Sequence, residues 1–288
     1  MNLVLGTAQF GLSYGIANQE GQVSREEVVQ ILALARENGI DTLDTAIAYG
    51  DSETCLGGVG TRGFKVITKL PPLPDKTTDI GAWVDEQMRA SLRRLNVDSV
   101  YGLLLHRSDN LVGVEGRSLV QALERLKAEG IVGKIGVSIY APQELDAVTQ
   151  ACVIDLVQAP FNLIDRHLVT SNWLQRLHDQ GVEVHVRSVF LQGLLLMPRA
   201  TIPEKFRPWF HLFDRWHAWL QENRFTAAEA CLAFVASLPL IERVVVGVDS
   251  RDQLQELLRA SVQEPPEQMP DLRCDDERLI NPSNWNSL

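Results

Sequence analysis

A carboxylate, a phenol, an ammonium and an imidazole stand in this chain where short apolar runs end. Asp44 and Tyr49 lie within DTAIAYGDSE, the stretch Asp44–Glu53 that follows the apolar IDTL. Lys69 closes the run KVITK, and His106 closes YGLLLH. Singly, each has an ordinary structural use: a turn or helix cap, a turn aromatic, a snorkelling lysine, a satisfied histidine near the core. Their order gives them weight, because they end three successive strand-like segments. In a parallel barrel, strand carboxyl ends converge on one face, so side chains distant in sequence meet around a single pocket. The chemistry such a set suits is protonation of an oxygen on which negative charge develops.

The elements that would carry these residues alternate regularly. Strand candidates rich in Val, Ile and Leu are Leu3–Gly6, Thr42–Asp44, Lys65–Lys69, Val100–His106, Ile131–Ser138, Ile154–Gln158, Glu183–Arg187 and Arg243–Gly247. Amphipathic helix candidates between them include Ser24–Glu37, Ile80–Arg94, Arg117–Ala128, Pro142–Gln150, Thr170–Gln180, Thr226–Leu238 and Arg251–Ala260. The first opens with Ser24 and Glu27 as a capping box and closes at Asn38-Gly39. Such βα alternation predicts a parallel α/β fold, and about eight units predict a closed (β/α)8 TIM barrel with eight parallel strands. An open doubly wound sheet is less suited, since no GxGxxG follows the first strand. One domain is expected over residues 1–288, since single barrels commonly run to about 250 residues. The alternation breaks at about 191–225, which carries Trp209, Trp216 and Trp219 with Phe206, Phe210 and Phe213. That segment reads either as a long strand-7 insertion over the pocket or as an extra helix packing its aromatics into the core. From about 265 a polar, proline-rich tail is expected across the surface.

Composition sets the broad class. With 45% hydrophobic and 22% charged residues the chain reads as an ordinary globular protein. No apolar run approaches the roughly 18 residues of a membrane span. The start MNLVLGTAQF lacks a basic segment ahead of an apolar core, so no signal peptide is expected. Cys55, Cys152, Cys231 and Cys274 are widely spaced, which predicts reduced thiols, a cytoplasmic setting and no metal cluster. A net charge of −10 without a basic stripe speaks against nucleic acid as a partner.

The motifs taken together resemble the aldo-keto reductase superfamily. They are GTAQFG at strand 1, DTAIAYGDSE with Leu56-Gly57, Lys69, His106, GKIGVS at strand 5, Gln158 with FNLIDR, QGLL after strand 7 and GVDSRDQLQE at strand 8. The resemblance implies a (β/α)8 barrel that reduces carbonyls with a nicotinamide cofactor, and it maps the catalytic roles onto Asp44, Tyr49, Lys69 and His106. The chemistry also stands without it. Hydride arriving at a carbonyl carbon leaves charge on oxygen, and a positioned acid must protonate it. A tyrosine with its usual pKa of about 10 is a weak acid at pH 7, and a nearby ammonium would lower that value. Lys69 is expected to supply that charge to Tyr49, with Asp44 offsetting the cost of burying it and His106 orienting the carbonyl oxygen.

Cofactor contacts follow from the same resemblance. Gly6 and Thr7 belong to the strand-1 motif, and Gly193 belongs to the motif after strand 7. Ser138 and Gln158 match the pair that bonds the nicotinamide carboxamide, although Ile139 stands where asparagine often follows the serine. Arg187 occupies the end of strand 7, where the family commonly stacks an aromatic on the nicotinamide; its planar guanidinium can lie in the same slot. Gly247, Val248, Asp249, Arg251 and Gln253 match the loop and helix start that grip the adenosine diphosphate end, where backbone N–H groups suit phosphate. There Asp249 replaces a frequent basic residue, Gln253 a frequent arginine and Leu257 a frequent asparagine. NADP(H) is the family default, and these departures leave NAD(H) as the alternative.

The expected activity is reduction of an aldehyde or ketone to an alcohol, with a small-molecule carbonyl as substrate. The rival is a cofactor-binding, redox-sensing barrel subunit that acts through a protein partner, as potassium-channel β subunits of the same superfamily do. A hydrolase or isomerase would need a metal cluster or phosphate loop that the sequence lacks. Substrate identity and oligomeric state do not follow from these residues.

Overall fold

The computed structural model describes residues 1–288 except Gln19 and Val114. Eight parallel strands close into a barrel in chain order. They are β1 Leu3–Gly6, β2 Thr42–Asp44, β3 Lys65–Leu70, β4 Val100–Leu105, β5 Val132–Ser138, β6 Leu156–Pro160, β7 Glu183–Arg187 and β8 Arg243–Gly247. The helices among the described residues are α1 Arg25–Glu37, α2 Ser52–Val59, α3 Ile80–Leu95, α4 Gly116–Ala128, α5 Glu144–Ala151, α6 His167–Thr170, α7 Trp173–Asp179, α8 Phe210–Asn223, α9 Ala227–Ala236, α10 Arg251–Ala260 and α11 Glu277–Ile280. This is the (β/α)8 architecture that the alternation of apolar runs and amphipathic helices predicts.

Several elements differ from the sequence expectation for identifiable reasons. Strand β6 starts at Leu156 and runs through Pro160. Proline is tolerated there because the neighbouring β5 ends at Ser138, opposite Gln158, so the Pro160 nitrogen has no ladder partner to lose. The helix expected over Thr170–Gln180 is two pieces, divided at Asn172, which is left-handed at φ +64°. The capping box of α1 is only half made: Ser24 accepts the Glu27 N–H, but the Glu27 carboxylate accepts Arg251 N–H at the start of α10.

Helix α2 forms where the sequence pattern predicts no helix, since Gly57-Gly58 is poor helix sequence. The structure explains the first glycine: a Cβ on Gly57 would sit 2.0 Å from the Arg94 carbonyl oxygen, so only glycine lets α2 cross α3 this closely.

The core has two shells. Ile67, Leu104 and Leu156 fill the barrel interior, while a much larger apolar shell lies between strands and helices. The segment after β7 passes through 3-10 turns into α8, and Phe206, Phe213 and Trp216 are fully buried. Trp216 also donates its indole N–H to Leu195 O at 3.0 Å. Truncating such aromatics costs about 3–5 kcal/mol each, which makes α8 part of the core rather than a detachable flap. The tail is anchored by buried Leu272, Leu279 and Trp285, the last packed edge-on against Phe206 at 4.9 Å.

At the amino-terminal end of the barrel a charged network closes the interior. Glu183 receives bonds from Tyr101, Lys134, His185 and Arg243, and Arg243 and Lys65 also bind Asp41. Burial would raise the Glu183 carboxyl, but the bonds from His185, Lys134 and Tyr101 outweigh it and hold the group well below the usual carboxylate range.

Candidate active site

The opposite, carboxyl-terminal end carries the polar residues that the sequence singles out. Asp44 is the last residue of β2 and Lys69 the fifth of β3. The Lys69 side chain is fully buried, and its three N–H groups reach Asp44 Oδ1 at 2.8 Å, Asp44 Oδ2 at 2.7 Å and Thr45 O at 2.9 Å. Burial pushes the Lys69 ammonium pKa down, and the Asp44 carboxylate works against that push. The Lys69 Nζ stands 5.0 Å from the centre of the Tyr49 ring, and the His106 ring meets Tyr49 edge-on at 5.7 Å and 80°. His106 follows β4 and continues its ladder by donating its N–H to Leu70 O. Asp44, Tyr49, Lys69 and His106 are thus brought together.

The expected effect of the ammonium on the phenol is not what the geometry gives. Burial and then Asp44 push the Tyr49 pKa up, and the main counter-effect comes from Arg187. Lys69 spends its N–H groups on Asp44 and Thr45, so the pair meets the phenol as a largely neutralised unit. Tyr49 therefore holds its proton at neutral pH, the state a proton donor needs. His106 is pushed down to about 4, by burial and then by Lys69, and is a neutral imidazole at pH 7.

Backbone contacts rather than side-chain bonds place Tyr49. A Cβ on Gly11 would lie 1.9 Å from Tyr49 O, and one on Gly50 would lie 2.4 Å from Gly11 O, so the loops after β1 and β2 touch backbone to backbone. Beside them Thr7 donates its hydroxyl to Asp44 O, and Ser52 bonds Thr7 and Thr45. Thr7 is therefore a buried tie between β1, β2 and α2. Glu53, in the same motif as Asp44, is buried and collects Thr68, Ser91 and Arg94. The adjacency of Ser52 and Glu53 to Tyr49 was the only sequence signal for either, because their partners lie on other elements.

Ser138, the last residue of β5, lies opposite Gln158 in the middle of β6, not at the strand end that the sequence predicts for it. Gln158 donates to Asp44 Oδ1 at 2.7 Å, so one amide N–H is turned to the Asp44–Lys69 pair. Arg187, at the end of β7, donates to Ile139 O at 2.9 Å and to Ser188 Oγ at 3.1 Å, and its guanidinium carbon lies 5.1 Å from the Tyr140 ring centre. No carboxylate among the described residues forms an ion pair with it.

After Arg187 the backbone coils through left-handed Ser188, Leu191, Gln192 and Gly193. Three of these are not glycine, a concentration of strain that needs support from the surroundings. Support comes from the β1 loop: Ile16 N–H donates to Gln192 O, Gln192 Nε2 donates to the Tyr14 hydroxyl, and a Cβ on Gly193 would crowd Ala17 at 2.9 Å.

At β8, Gly247 pairs with Gly6, and a Cβ on Gly247 would clash with the Gln9 carboxamide at 2.5 Å. Val248 is buried. Asp249 accepts Asn18 Nδ2 at 3.0 Å and donates its own N–H to the Gln253 side chain. Ser250 caps Gln253 N–H, while Glu27 Oε1 holds Arg251 N–H at 2.5 Å. The start of α10 is therefore lined by carboxylates as well as by N–H groups, and the Arg251 side chain is partly exposed beside Asp252. Sequence reading did not anticipate Glu27, which arrives from α1, far away along the chain.

Comparison with known proteins agrees with this architecture. An uncharacterized oxidoreductase of Bacillus subtilis is 24% identical over 89% of this chain and 90% of its own length. A probable voltage-gated potassium channel β subunit of Arabidopsis thaliana is 26% identical over 90% of this chain and 88% of its own. Among solved structures, the holo form of an aldo-keto reductase of Bacillus halodurans shares the fold with a TM-score of 0.73 at 22% identity, covering 92% of this chain and 88% of that one. The model of the aldo/keto reductase family matches residues 2–273, nearly the whole chain, and the chain belongs to that family of oxidoreductases.

Proposed function

We propose that this protein reduces an aldehyde or ketone to an alcohol with a nicotinamide cofactor, Tyr49 acting as the general acid. The observation that supports it best is the buried Lys69–Asp44 pair packed beneath Tyr49, with His106 edge-on to the same ring, at the carboxyl end of the barrel. Ser138, Gln158 and Arg187 would hold a nicotinamide at this face, and in its reduced form it would supply hydride to the carbonyl carbon. His106, neutral at pH 7, donates a ring N–H to the carbonyl oxygen and sets its direction. Tyr49 then gives its proton to that oxygen as charge develops there; a nascent alkoxide is a far stronger base than phenolate, so the transfer is downhill even from a phenol with a raised pKa. Asp44 and Lys69 hold the floor of the site rigid and screen one another.

The residues present fit such a cofactor. Ser138 and Gln158 stand side by side where a carboxamide would bond, and Gly193 turns without a side chain next to the β1 loop. Gly6 and Thr7 shape the wall between β1 and β2, and Arg187 offers a flat face for the ring. Gly247, Val248, Asp249, Arg251 and Gln253 would receive the adenosine end. There Glu27 and Asp249 set negative charge against a ribose 2′-phosphate and favour NAD(H) over NADP(H), since a free 2′-hydroxyl can donate to a carboxylate. The channel β-subunit relatives support a second reading, in which the barrel binds the cofactor as a redox sensor for a protein partner. Sustained multiple-turnover reduction of an aldehyde separates the two.

The test of the main reading is Tyr49→Phe. General acid catalysis contributes about 10²–10⁴-fold, so kcat/KM is expected to fall by that factor while the cofactor Kd stays nearly constant. Retention of more than about a tenth of the turnover, with chemistry limiting the rate, would remove Tyr49 from the acid role.

A further inference from the structure

Two guanidinium groups approach one ring at the mouth of this site. Arg107 directly follows His106, and its guanidinium carbon lies 5.8 Å from the Tyr140 ring centre; Arg187 approaches the same ring at 5.1 Å. Both are inside the roughly 6 Å at which a cation and an aromatic face attract. Neither forms an ion pair among the described residues: Asp44 and Glu144 are engaged elsewhere, and Asp109, exposed two residues beyond Arg107, bridges to neither arginine. Asp44 is taken by Lys69 and Gln158. Glu144 accepts Ser108 Oγ and the N–H groups of Tyr140 and Ala141. Arg187 is half-buried and already donates to Ile139 O and Ser188 Oγ, while Arg107 is exposed at the rim, with its fork of donors free to turn. In a chain of net charge −10, the approach to the reacting atoms is thus locally positive. The positive field reaches those atoms: Arg187 works to lower the pKa of Tyr14 and Tyr49, and both Arg187 and Arg107 work to lower that of His106.

We infer that the carbonyl substrate carries an oxyanion, a carboxylate or a phosphate, which Arg107 grips at the rim beside Tyr140 while Arg187 supplies positive field from behind. The inference rests on the reductase reading for the location of the carbonyl, but not for the anion subsite itself. A planar fork matches either oxyanion with two parallel N–H bonds, a geometry that lysine cannot copy. A hydrogen bond to a charged group contributes enough to favour the anionic partner of a matched pair by about ten- to hundredfold.

The experiment compares 4-formylbenzoate with its methyl ester, and glyceraldehyde 3-phosphate with glyceraldehyde, as substrates of the full chain. The expected result is a charged-to-neutral ratio of kcat/KM of about 10–100 in at least one pair. The ratio should collapse in Arg107→Gln, be kept in part in Arg107→Lys and fall below one in Arg107→Glu, mainly through KM. Which pair responds identifies carboxylate or phosphate. Because Arg107 is exposed, these variants should fold, and a thermal melt confirms it. Calorimetric binding of 4-formylbenzoate to wild type and Arg107→Gln provides the readout that does not depend on turnover. Binding that weakens in the variant, in a protein that reduces none of the four aldehydes, would sustain the anion subsite and overturn the reductase reading. Ratios near one in both pairs, or ratios unmoved by Arg107→Glu, would overturn the inference and leave the reductase reading intact.

Discussion

Asp44→Asn tests the buried ion pair without assuming any reaction. Asparagine keeps the shape of the side chain and one oxygen for Lys69, but it removes the charge opposite a fully buried ammonium. Removing one partner of a buried pair costs about 3–5 kcal/mol, because the other charge is left without compensation. For a domain of this order each kcal/mol lowers the Tm by about 2–4 °C, so melting at neutral pH should fall by about 6–20 °C. The pH dependence has a definite sign. Burial already lowers the Lys69 pKa, and without Asp44 to oppose it the value falls further. Between the variant's lysine pKa and the wild-type one, the variant folds with a neutral amine that its unfolded chain protonates. The unfolded state then binds more protons, and the variant gains stability with rising pH faster than wild type does. The gap in Tm should therefore be widest at neutral pH and should narrow toward about pH 10, where free lysine titrates. Calorimetric melts across that range measure it. The double variant Asp44→Asn with Lys69→Met should recover much of the loss, since no charge remains buried. A single variant melting within about 2 °C of wild type, less than 1 kcal/mol, or a gap that does not change with pH, would refute the assignment of this pair.

The remaining predictions concern the cofactor end and the barrel floor. Replacing Arg187 with Tyr should lower the ratio of reduced to oxidised cofactor affinity, read by fluorescence titration, because a cationic oxidised ring at ~4 Å from a guanidinium is repelled by at most about 4 kcal/mol at an effective dielectric near 20; an unchanged ratio would place Arg187 away from the ring. Both Asp249→Arg and Glu27→Gln should raise the NADPH/NADH ratio of kcat/KM, the second by a few-fold, in keeping with the about 0.2–1 kcal/mol of partly exposed charge pairs. A ratio unmoved by either removes these carboxylates from the cofactor site. Glu183, held below its usual range, contributes stability that is present above about pH 4 and is lost as the solution is acidified further. Acid titration of Glu183→Gln should show lower stability at neutral pH and a shallower acid transition, and coincident curves would show that the charged floor contributes nothing.

The barrel and the meeting of Asp44, Tyr49, Lys69 and His106 were legible because both depend on local pattern: apolar runs of strand length, and polar residues at their carboxyl ends. Direction of interaction was less legible. Type and spacing suggest that Lys69 acts on Tyr49, but the donors of an ammonium point where acceptors are, and here those are Asp44 and Thr45 O. Glu27 reads as half of a capping box until α10 arrives beside it. Glu53 gave no sign of its role because Thr68, Ser91 and Arg94 come from β3 and α3. Pairings across elements are set by tertiary packing, which a single chain of letters does not display. Arg107 and Tyr140 escaped notice for the same reason, each being unremarkable alone.

The two loops that meet at Gly11 and Gly50 have a mechanical consequence. Tyr49 is carried on a backbone that rests on the β1 loop, and that loop is fastened farther along to Gln192 and Gly193 beyond β7. The phenol, the first loop and the seventh therefore form one linkage without slack. A length change in either loop would be transmitted as a displacement of the Tyr49 hydroxyl. Loop grafting on this barrel is accordingly closed on the β1 and β7 side of the mouth.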